Sequence, residues 1–189
     1  MTLWHTVGAT LDQLTMEGIA MPNHVTTEIS ITGPRADQLA LVEAIKGDES
    51  AVDFNRILPM PPELRDIKTG HCTISGQSVK QWREIDGKKV AIPDAELDRY
   101  MREFGAADWY RWANDNWGTK WNAYDVEVSG RPKSIYIRMT TAWDSPHPII
   151  RELARRFPAL TFRCHNSGEI DDPSAWVLGP GSKVRSFAH

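Results

Sequence analysis

Two segments of alternating apolar and polar residues, joined by a short turn, constrain the fold of this chain more than any other feature. The period of two indicates strands with one buried face. Residues 130–133, Gly-Arg-Pro-Lys, have the composition of a tight turn. The pattern therefore predicts a β-hairpin of strands 123–129 and 134–142 at the centre of the fold. Its apolar positions are Tyr124, Val126 and Val128 in the first strand and Ile135, Ile137 and Met139 in the second.

Length and charge limit the class of protein. A chain of 189 residues can bury a core as one domain without disulfides or a structural metal. Its two cysteines, Cys72 and Cys164, cannot form a disulfide framework. The low cysteine count favours a reduced, cytoplasmic protein. The net charge of −3 gives no strong electrostatic attraction to nucleic acid. The first 23 residues lack a basic start and a long apolar run, so neither a signal peptide nor a membrane span is expected.

Other periodic segments extend the hairpin into the succession βαββαβ. Right-handed crossovers would place both helices on one face of a four-stranded antiparallel sheet, the ferredoxin-like arrangement of the α+β class. An alternative uses 52–57 as the second strand and makes 123–129 an added edge, but the tight hairpin favours the first assignment. The predicted elements are strand 24–32, helix 34–46, strands 123–129 and 134–142, helix 146–157 and strand 160–166, with an extension at 1–23, a mostly helical insertion at 48–118 and a loose tail at 167–189.

The insertion gives weaker signals. Residues 51–58 are predicted to be an edge strand at best, because the prolines that follow remove ladder hydrogen bonds. Residues 72–74 and 90–92 are candidate short strands, and Asp86-Gly87 is a candidate hairpin turn. A helix beginning at Asp94 and a second one over 106–114 are predicted from helical spacing of apolar residues.

Four motifs follow one another along the chain: MPNHVTTEISITGP, FNRILPMPPEL, WGTKWNAYDVEV and TAWDSPHPIIRELARRFPALTFRC. In this order they resemble the YubB-like proteins of phages and conjugative plasmids. The resemblance covers about Met21 to Cys164 and implies a ferredoxin-like domain in a mobile-element setting. The family's activity is unassigned, so the resemblance implies no catalytic residues. The sequence after Cys164 departs from the family pattern.

Three kinds of chemistry find little support in the sequence. Zinc binding by His71-Cys72 and Cys164-His165 is disfavoured because adjacent strand residues point to opposite faces. Nothing in the sequence activates Cys72 as a nucleophile. The segment 179–183, Gly-Pro-Gly-Ser-Lys, lacks the strand and helix that a phosphate-binding loop requires. We therefore predict no metal, no cofactor and no catalytic residue.

The WGTKWN motif is the sharpest local constellation. A lysine stem can lie on an indole, and an asparagine side chain can satisfy buried backbone groups. The motif could therefore form a binding pocket with residues from the far end of the hairpin, or it could lock the insertion onto the sheet as aromatic core. The candidate binding residues are Trp117, Lys120, Trp121, Asn122, Trp143 and Asp144.

The outward face of the central hairpin offers a second candidate site. Tyr136 and Arg138 on one strand could stack bases and contact phosphate, as on the open sheets that bind single-stranded RNA. Asp125 and Glu127 on the neighbouring strand would repel phosphate, and the aromatic signature of RNA-recognition strands is absent.

These patterns favour a non-enzymatic accessory protein of a phage or plasmid. We expect it to bind a host or defence macromolecule through the aromatic surface at 117–143, in the cytoplasm of a bacterial host. Single-stranded nucleic-acid binding and an enzyme with a site at WGTKWN remain the alternatives.

Overall fold

The computed structural model describes residues 23–168 and 174–180, and the backbone of residues 185–187. It is a mixed α+β structure in which two antiparallel sheets alternate with helices. The strands are β1 His24–Thr32, β2 Lys68–Ile74, β3 Gln77–Ile85, β4 Lys88–Ala91, β5 Tyr124–Gly130, β6 Ser134–Ala142, β7 Thr161–Gly168, β8 Ala175–Leu178 and β9 Arg185–Phe187. The helices are α1 Arg35–Ile45, α2 Phe54–Ile57, α3 Pro62–Arg65, α4 Asp94–Phe104, α5 Trp109–Trp117 and α6 His147–Arg156.

The larger sheet is organised around β1 and β6. Its strand order is β5-β6-β1-β7-β8-β9, and each described pair is antiparallel. The predicted hairpin is confirmed, since β5 pairs directly with β6. A register shift between Tyr124 and Glu127 leaves Asp125 with a φ of 49°. Such a bulge adds one residue to a strand and bends it locally.

Two expectations about the main sheet are wrong. The sheet has six strands, whereas the apolar alternation predicted four. The additional strands β8 and β9 come from the segment predicted as a loose tail. Residues 175–178, Ala-Trp-Val-Leu, are too short for a period to stand out, but Trp176 and Leu178 are buried against the core. The predicted extension 1–23 lies, apart from Asn23, outside the described residues.

The insertion also departs from the prediction of a mostly helical segment. Residues 68–91 form a three-stranded sheet in the order β2-β3-β4, with Asp86 and Gly87 at the predicted turn between β3 and β4. Most of its side chains are exposed or half-buried, so no sustained apolar alternation marks these strands. The remaining predicted helices are present as α4 and α5.

The segment 51–58 is not a strand. Its centre is the short helix α2, because the Asp53 side chain accepts a hydrogen bond from the backbone N–H of Asn55 and caps the helix start. The alternative assignment of 52–57 as the second strand of the main sheet is therefore wrong.

One hydrophobic core joins the main sheet to the helices. The inward residues of β1 and β6 pack with buried side chains of α1, α2, α5 and α6. Helix α6 follows the predicted amphipathic pattern, with Ile149, Ile150 and Leu153 buried. Its last residue, Arg156, donates hydrogen bonds to the carbonyls of Arg56 and Ile57 in α2. None of the helices in the described ranges is long and apolar enough to cross a bilayer.

Candidate functional site: an aromatic pocket around Lys120

Four aromatic side chains from separate parts of the chain line a surface cavity of about 410 Å³. Two come from the first turn of α5, one follows that helix, and one follows β6. The small sheet contributes a threonine from β2. We call this cavity the aromatic pocket, and its lining residues are Thr69, Trp109, Tyr110, Lys120, Trp121 and Trp143.

Local backbone interactions fix the part of the pocket that follows α5. Gly118 ends the helix in the left-handed conformation, with a φ of 78°. The buried hydroxyl of Thr119 donates to the Trp121 carbonyl over 2.8 Å and accepts from the Trp121 N–H over 3.3 Å. The backbone N–H of Lys120 donates to the carbonyl of Ala142 over 3.5 Å. The loop is therefore tied to itself and to the end of β6.

Trp143 holds an uncommon backbone conformation. Its φ of 78° lies in the left-handed region, which costs a residue with a Cβ about 1–2 kcal/mol. Its N–H donates to the carbonyl of Asn23 over 2.8 Å, which secures this conformation beside β1. Backbone outliers of this kind concentrate at functional sites. The conformation leaves the indole 39% exposed.

The Lys120 ammonium lies against two exposed indoles. Its Nζ is 4.5 Å from the ring centroid of Trp121 and 5.0 Å from that of Trp143. Both distances fall within the range of cation–π attraction. Tyr110 meets Trp143 edge to face at 5.7 Å. Lys120 forms no ion pair with any of the described residues, so its ammonium is available to an anionic partner on this part of the structure.

Two of the predicted pocket residues, the buried Trp117 and the half-buried Asn122, do not line the aromatic pocket. Trp117 is 4% exposed, and its Nε1 donates to the carbonyl of Leu58 over 2.8 Å. The Asn122 Oδ1 accepts from the backbone N–H of Phe54 over 2.9 Å, and its Nδ2 donates to Asp53 over 2.7 Å. These contacts bind the hairpin to α2, so both residues act in folding.

Asp144 is exposed but does not line the pocket. Its Oδ1 accepts from the Ser145 N–H over 2.7 Å, and its carbonyl accepts from the Thr141 hydroxyl over 2.7 Å. It thereby shapes the chain between β6 and α6.

Sequence reasoning missed Thr69, Trp109 and Tyr110 as pocket residues. The predicted helix over 106–114 places Trp109 on its packed face. The capping pattern at the start of α5 was the signal that could have located Trp109 and Tyr110 in the first turn. The Asp108 side chain accepts from the Arg111 N–H over 2.9 Å, which places the half-buried residues 109 and 110 in the first turn of α5. Thr69 carries no signal of its own.

The two candidate residues on the outward sheet face, Tyr136 and Arg138, already contact other side chains of the chain. Arg138 lies between Glu127 and Glu28 on the neighbouring strands, with its Nε 3.9 Å from the Glu28 carboxylate. The Arg131 guanidinium lies 5.1 Å from the Tyr136 ring centroid. Burial, and then hydrogen bonding to Glu28, raises the pKa of the Tyr136 phenol. The structure thus brings Tyr136 and Arg138 together, but each already has an intramolecular contact.

The cysteines lie in different sheets, Cys72 on β2 and Cys164 on β7. Burial raises the pKa of the Cys164 thiol, which disfavours the thiolate. Within the described ranges, no three His, Cys, Asp or Glu side chains converge in a way that could hold a metal ion. A second cavity, of about 670 Å³, is lined by residues 47–51, Asp53 and residues 122–126, among them the predicted binding residue Asn122.

Comparisons with known proteins give one similar structure. No family model matches the sequence, and no curated protein matches it. The chain is similar to the crystal structure of the protein api92 from Yersinia pseudotuberculosis, described with the family model DUF1281. The two are 11% identical, with a TM-score of 0.48, over 89% of this chain and 98% of that one.

Proposed function

We propose that this chain is a non-enzymatic accessory protein that binds a macromolecular partner, foremost a protein, through the aromatic pocket. The proposed setting is a phage or plasmid acting in the cytoplasm of its bacterial host, and this part depends on the resemblance of the four sequence motifs. A host or defence protein is the proposed partner.

The observation that carries the proposal is the pairing of exposed indoles around a fixed cation. Trp121 and Trp143 are 37% and 39% exposed, although tryptophan is among the residues that gain most from burial. Tryptophan in a well-packed pocket is also the residue type most enriched among binding hot spots. The Thr119 hydrogen bonds and the bond from the Trp143 N–H to Asn23 fix the backbone from which the two indoles project before a partner arrives. Preorganisation of this kind lowers the entropic cost of association.

The same proposal includes a ferredoxin-like core. Four strands of the main sheet, in the order β5-β6-β1-β7, and the two helices α1 and α6 would form it. The order agrees with two strand-helix-strand units that interlock through β1 and β6. In this interpretation β8 and β9 extend one edge, and the insertion supplies α5 and β2 to the pocket.

The proposal is tested by comparing what three forms of the protein retain from a bacterial lysate. The forms are the wild type, Trp121→Ala and the control Leu39→Ala, which removes another exposed apolar side chain, 51% exposed on α1. We expect the wild type and Leu39→Ala to retain the same proteins and Trp121→Ala to lose at least one of them. Each variant must first show the thermal unfolding midpoint of the wild type within a few degrees.

Equal retention by all three forms would contradict the proposal. Retention that requires nucleic acid, and disappears after nuclease treatment, would instead support the nucleic-acid alternative.

A further inference from the structure

We infer that the aromatic pocket selects an acidic peptide segment, in which a large apolar side chain enters the pocket and a neighbouring carboxylate meets Lys120. This inference rests on the proposed function and specifies the chemistry of the partner. It follows from the groups that the pocket offers, from the cation it already contains, and from its size.

The polar groups of the pocket are mainly hydrogen-bond donors. Lys120 offers an ammonium, three tryptophans offer indole N–H groups, and Thr69 and Tyr110 offer hydroxyls. In the part of the chain that the structure describes, no carboxylate or side-chain amide lines the cavity. Among the described residues none of these side-chain groups has a hydrogen-bond partner. A partner rich in acceptors therefore complements the pocket, and a carboxylate is the strongest acceptor in a peptide.

An external cation suits the pocket poorly. Clusters of aromatic rings commonly bind ammonium groups, but here Lys120 already lies between Trp121 and Trp143. An arriving lysine or methylated ammonium would have to displace Lys120 or accept its repulsion. Because the Lys120 ammonium already lies against these rings, the aromatic cluster is positively charged and disfavours a second cation.

A nucleic-acid strand suits the pocket less well than a peptide. Strong binding of a phosphate backbone requires several cations, whose counterions are released together. Among the described residues that line the pocket, Lys120 is the one cation. A volume of about 410 Å³ lies near the lower end of ligand-binding cavities, about 300–1,000 Å³. One anchoring side chain with its neighbours fits this size.

The inference is tested with three blocked pentapeptides that share a central tryptophan. The peptides are Gly-Glu-Trp-Glu-Gly, Gly-Gln-Trp-Gln-Gly and Gly-Lys-Trp-Lys-Gly, and their binding is followed by the indole N–H resonances of Trp121 and Trp143. We expect the Glu peptide to bind roughly two- to fivefold more tightly than the Gln peptide, the range that an exposed ion pair gives. The Lys peptide should bind most weakly.

The variant Lys120→Met separates charge from apolar contact, because methionine keeps an unbranched side chain against the indoles. In this variant the Glu and Gln peptides should bind with equal affinity. If the variant still prefers the Glu peptide, Lys120 is not the selecting group and the inference is wrong.

The remaining outcomes distinguish this inference from the proposed function. Equal binding of the Glu and Gln peptides by the wild type would overturn the acidic selectivity and leave the pocket as a binding surface. Tightest binding of the Lys peptide would overturn it in favour of a cation site. If an eight-residue oligothymidylate bound more tightly than the Glu peptide, with affinity falling steeply with salt, the partner would be a nucleic acid. If no probe moved the two resonances, the inference would fail, and the lysate comparison would decide the proposed function separately.

Discussion

Trp117 and Trp121 are four residues apart in one motif, yet they belong to different parts of the molecule. The Trp117 indole is 4% exposed, meets Phe54 and Trp112 edge to face, and donates its only N–H to a backbone carbonyl. The Trp121 indole is 37% exposed and contacts the Lys120 ammonium. Gly118, between them, turns the chain from helix into loop and so separates the two environments.

The difference teaches that one aromatic-rich segment can serve both folding and recognition. The first half comprises the buried Trp117 and the half-buried Asn122, which satisfy backbone groups of α2 and the residues around it. The second half comprises the half-buried Lys120 and the exposed Trp121, which follow the buried Thr119 and line the aromatic pocket. Mutations in the first half should therefore change the free energy of unfolding, and mutations in the second half should change binding.

The largest expected effect is that of Trp117→Ala. Removing this indole leaves a cavity and an unpaired Leu58 carbonyl, and large-to-small core substitutions of tryptophan cost about 3–5 kcal/mol. Urea unfolding of the wild type and the variant measures the difference. A loss below about 1 kcal/mol would show that the two halves of the motif do not differ as described.

Gly118→Ala is expected to have the next largest effect. A Cβ at this position would lie 2.8 Å from Cδ of Pro148, in addition to the cost of a φ of 78°. Gly105→Ala is a matched control, because Gly105 ends α4 with a φ of 74° and a Cβ there meets nothing within 4 Å. We expect Gly105→Ala to cost about 1 kcal/mol and Gly118→Ala to cost about 1–3 kcal/mol more, from overpacking. Equal thermal midpoints for the two variants would contradict the close packing of α5 against α6.

A smaller effect on stability is expected from the contact between α6 and α2. Hydrogen bonds from Arg155 and Arg156 lower the pKa of Glu152 from 4.5 to about 2. Glu152 thereby orients Arg156 toward the carbonyls of α2. A carboxylate with a lowered pKa stabilises the folded state above its unfolded pKa of 4.5, and this stabilisation is lost as the pH falls toward about 2.

The prediction is tested with Glu152→Gln. Because the arginines are largely exposed, we expect the variant to be about 1 kcal/mol or less below the wild type at pH 6, with the difference shrinking at pH 3. Unfolding free energies at the two pH values provide the measurement. A difference that stays constant with pH would exclude this role for the carboxylate.

The smallest expected effect on stability is that of Trp121→Ala. Trp121 is exposed and loses one cation–π contact when it is replaced. Apart from that contact, we expect the free energy of unfolding to fall by no more than about 0.5 kcal/mol. Urea unfolding checks this value against that of Trp117→Ala. A loss comparable to that of Trp117→Ala would place Trp121 in the core and remove the basis of the pocket.

The sequence predicted those elements whose apolar pattern reflects burial on one face. Strands β1, β5, β6 and β7 and helix α6 were found because their inward residues pack in the core. Of the small sheet, the sequence indicated the turn at Asp86-Gly87 and short candidate strands at 72–74 and 90–92, which overlap β2 and β4. Strand β3 and the sheet as a whole were missed, because most of the side chains are exposed or half-buried and leave no apolar period. Strand β8 is four residues long, too short for a period to be distinguished from a tail.

The candidate site was predicted in part for a related reason. Lys120, Trp121 and Trp143 were predicted together and do line one pocket. The sequence could not distinguish Trp117 from Trp121, because both are tryptophans of the same motif. Only the tertiary contacts of Trp117 bury it and leave Trp121 at the surface. Trp109 was missed because its helical spacing is typical of core residues, and it does pack partly against the core. Tyr110 carries no such spacing, and its position in the pocket depends on where Asp108 caps the helix.

The most direct test of the central claim is the position of the Lys120 side chain in the free protein. Protons that lie over aromatic rings resonate upfield, so the Lys120 Hε signals should lie upfield of the other lysines and be absent from the spectrum of Lys120→Met. The assignment matters, because Lys89 also approaches an indole, that of Trp82, at 5.6 Å. In Trp121→Ala and Trp143→Ala, the Lys120 signals should move back toward the other lysines. Lys120 Hε signals at the ordinary lysine position in the wild type would contradict the preformed pocket on which the account depends.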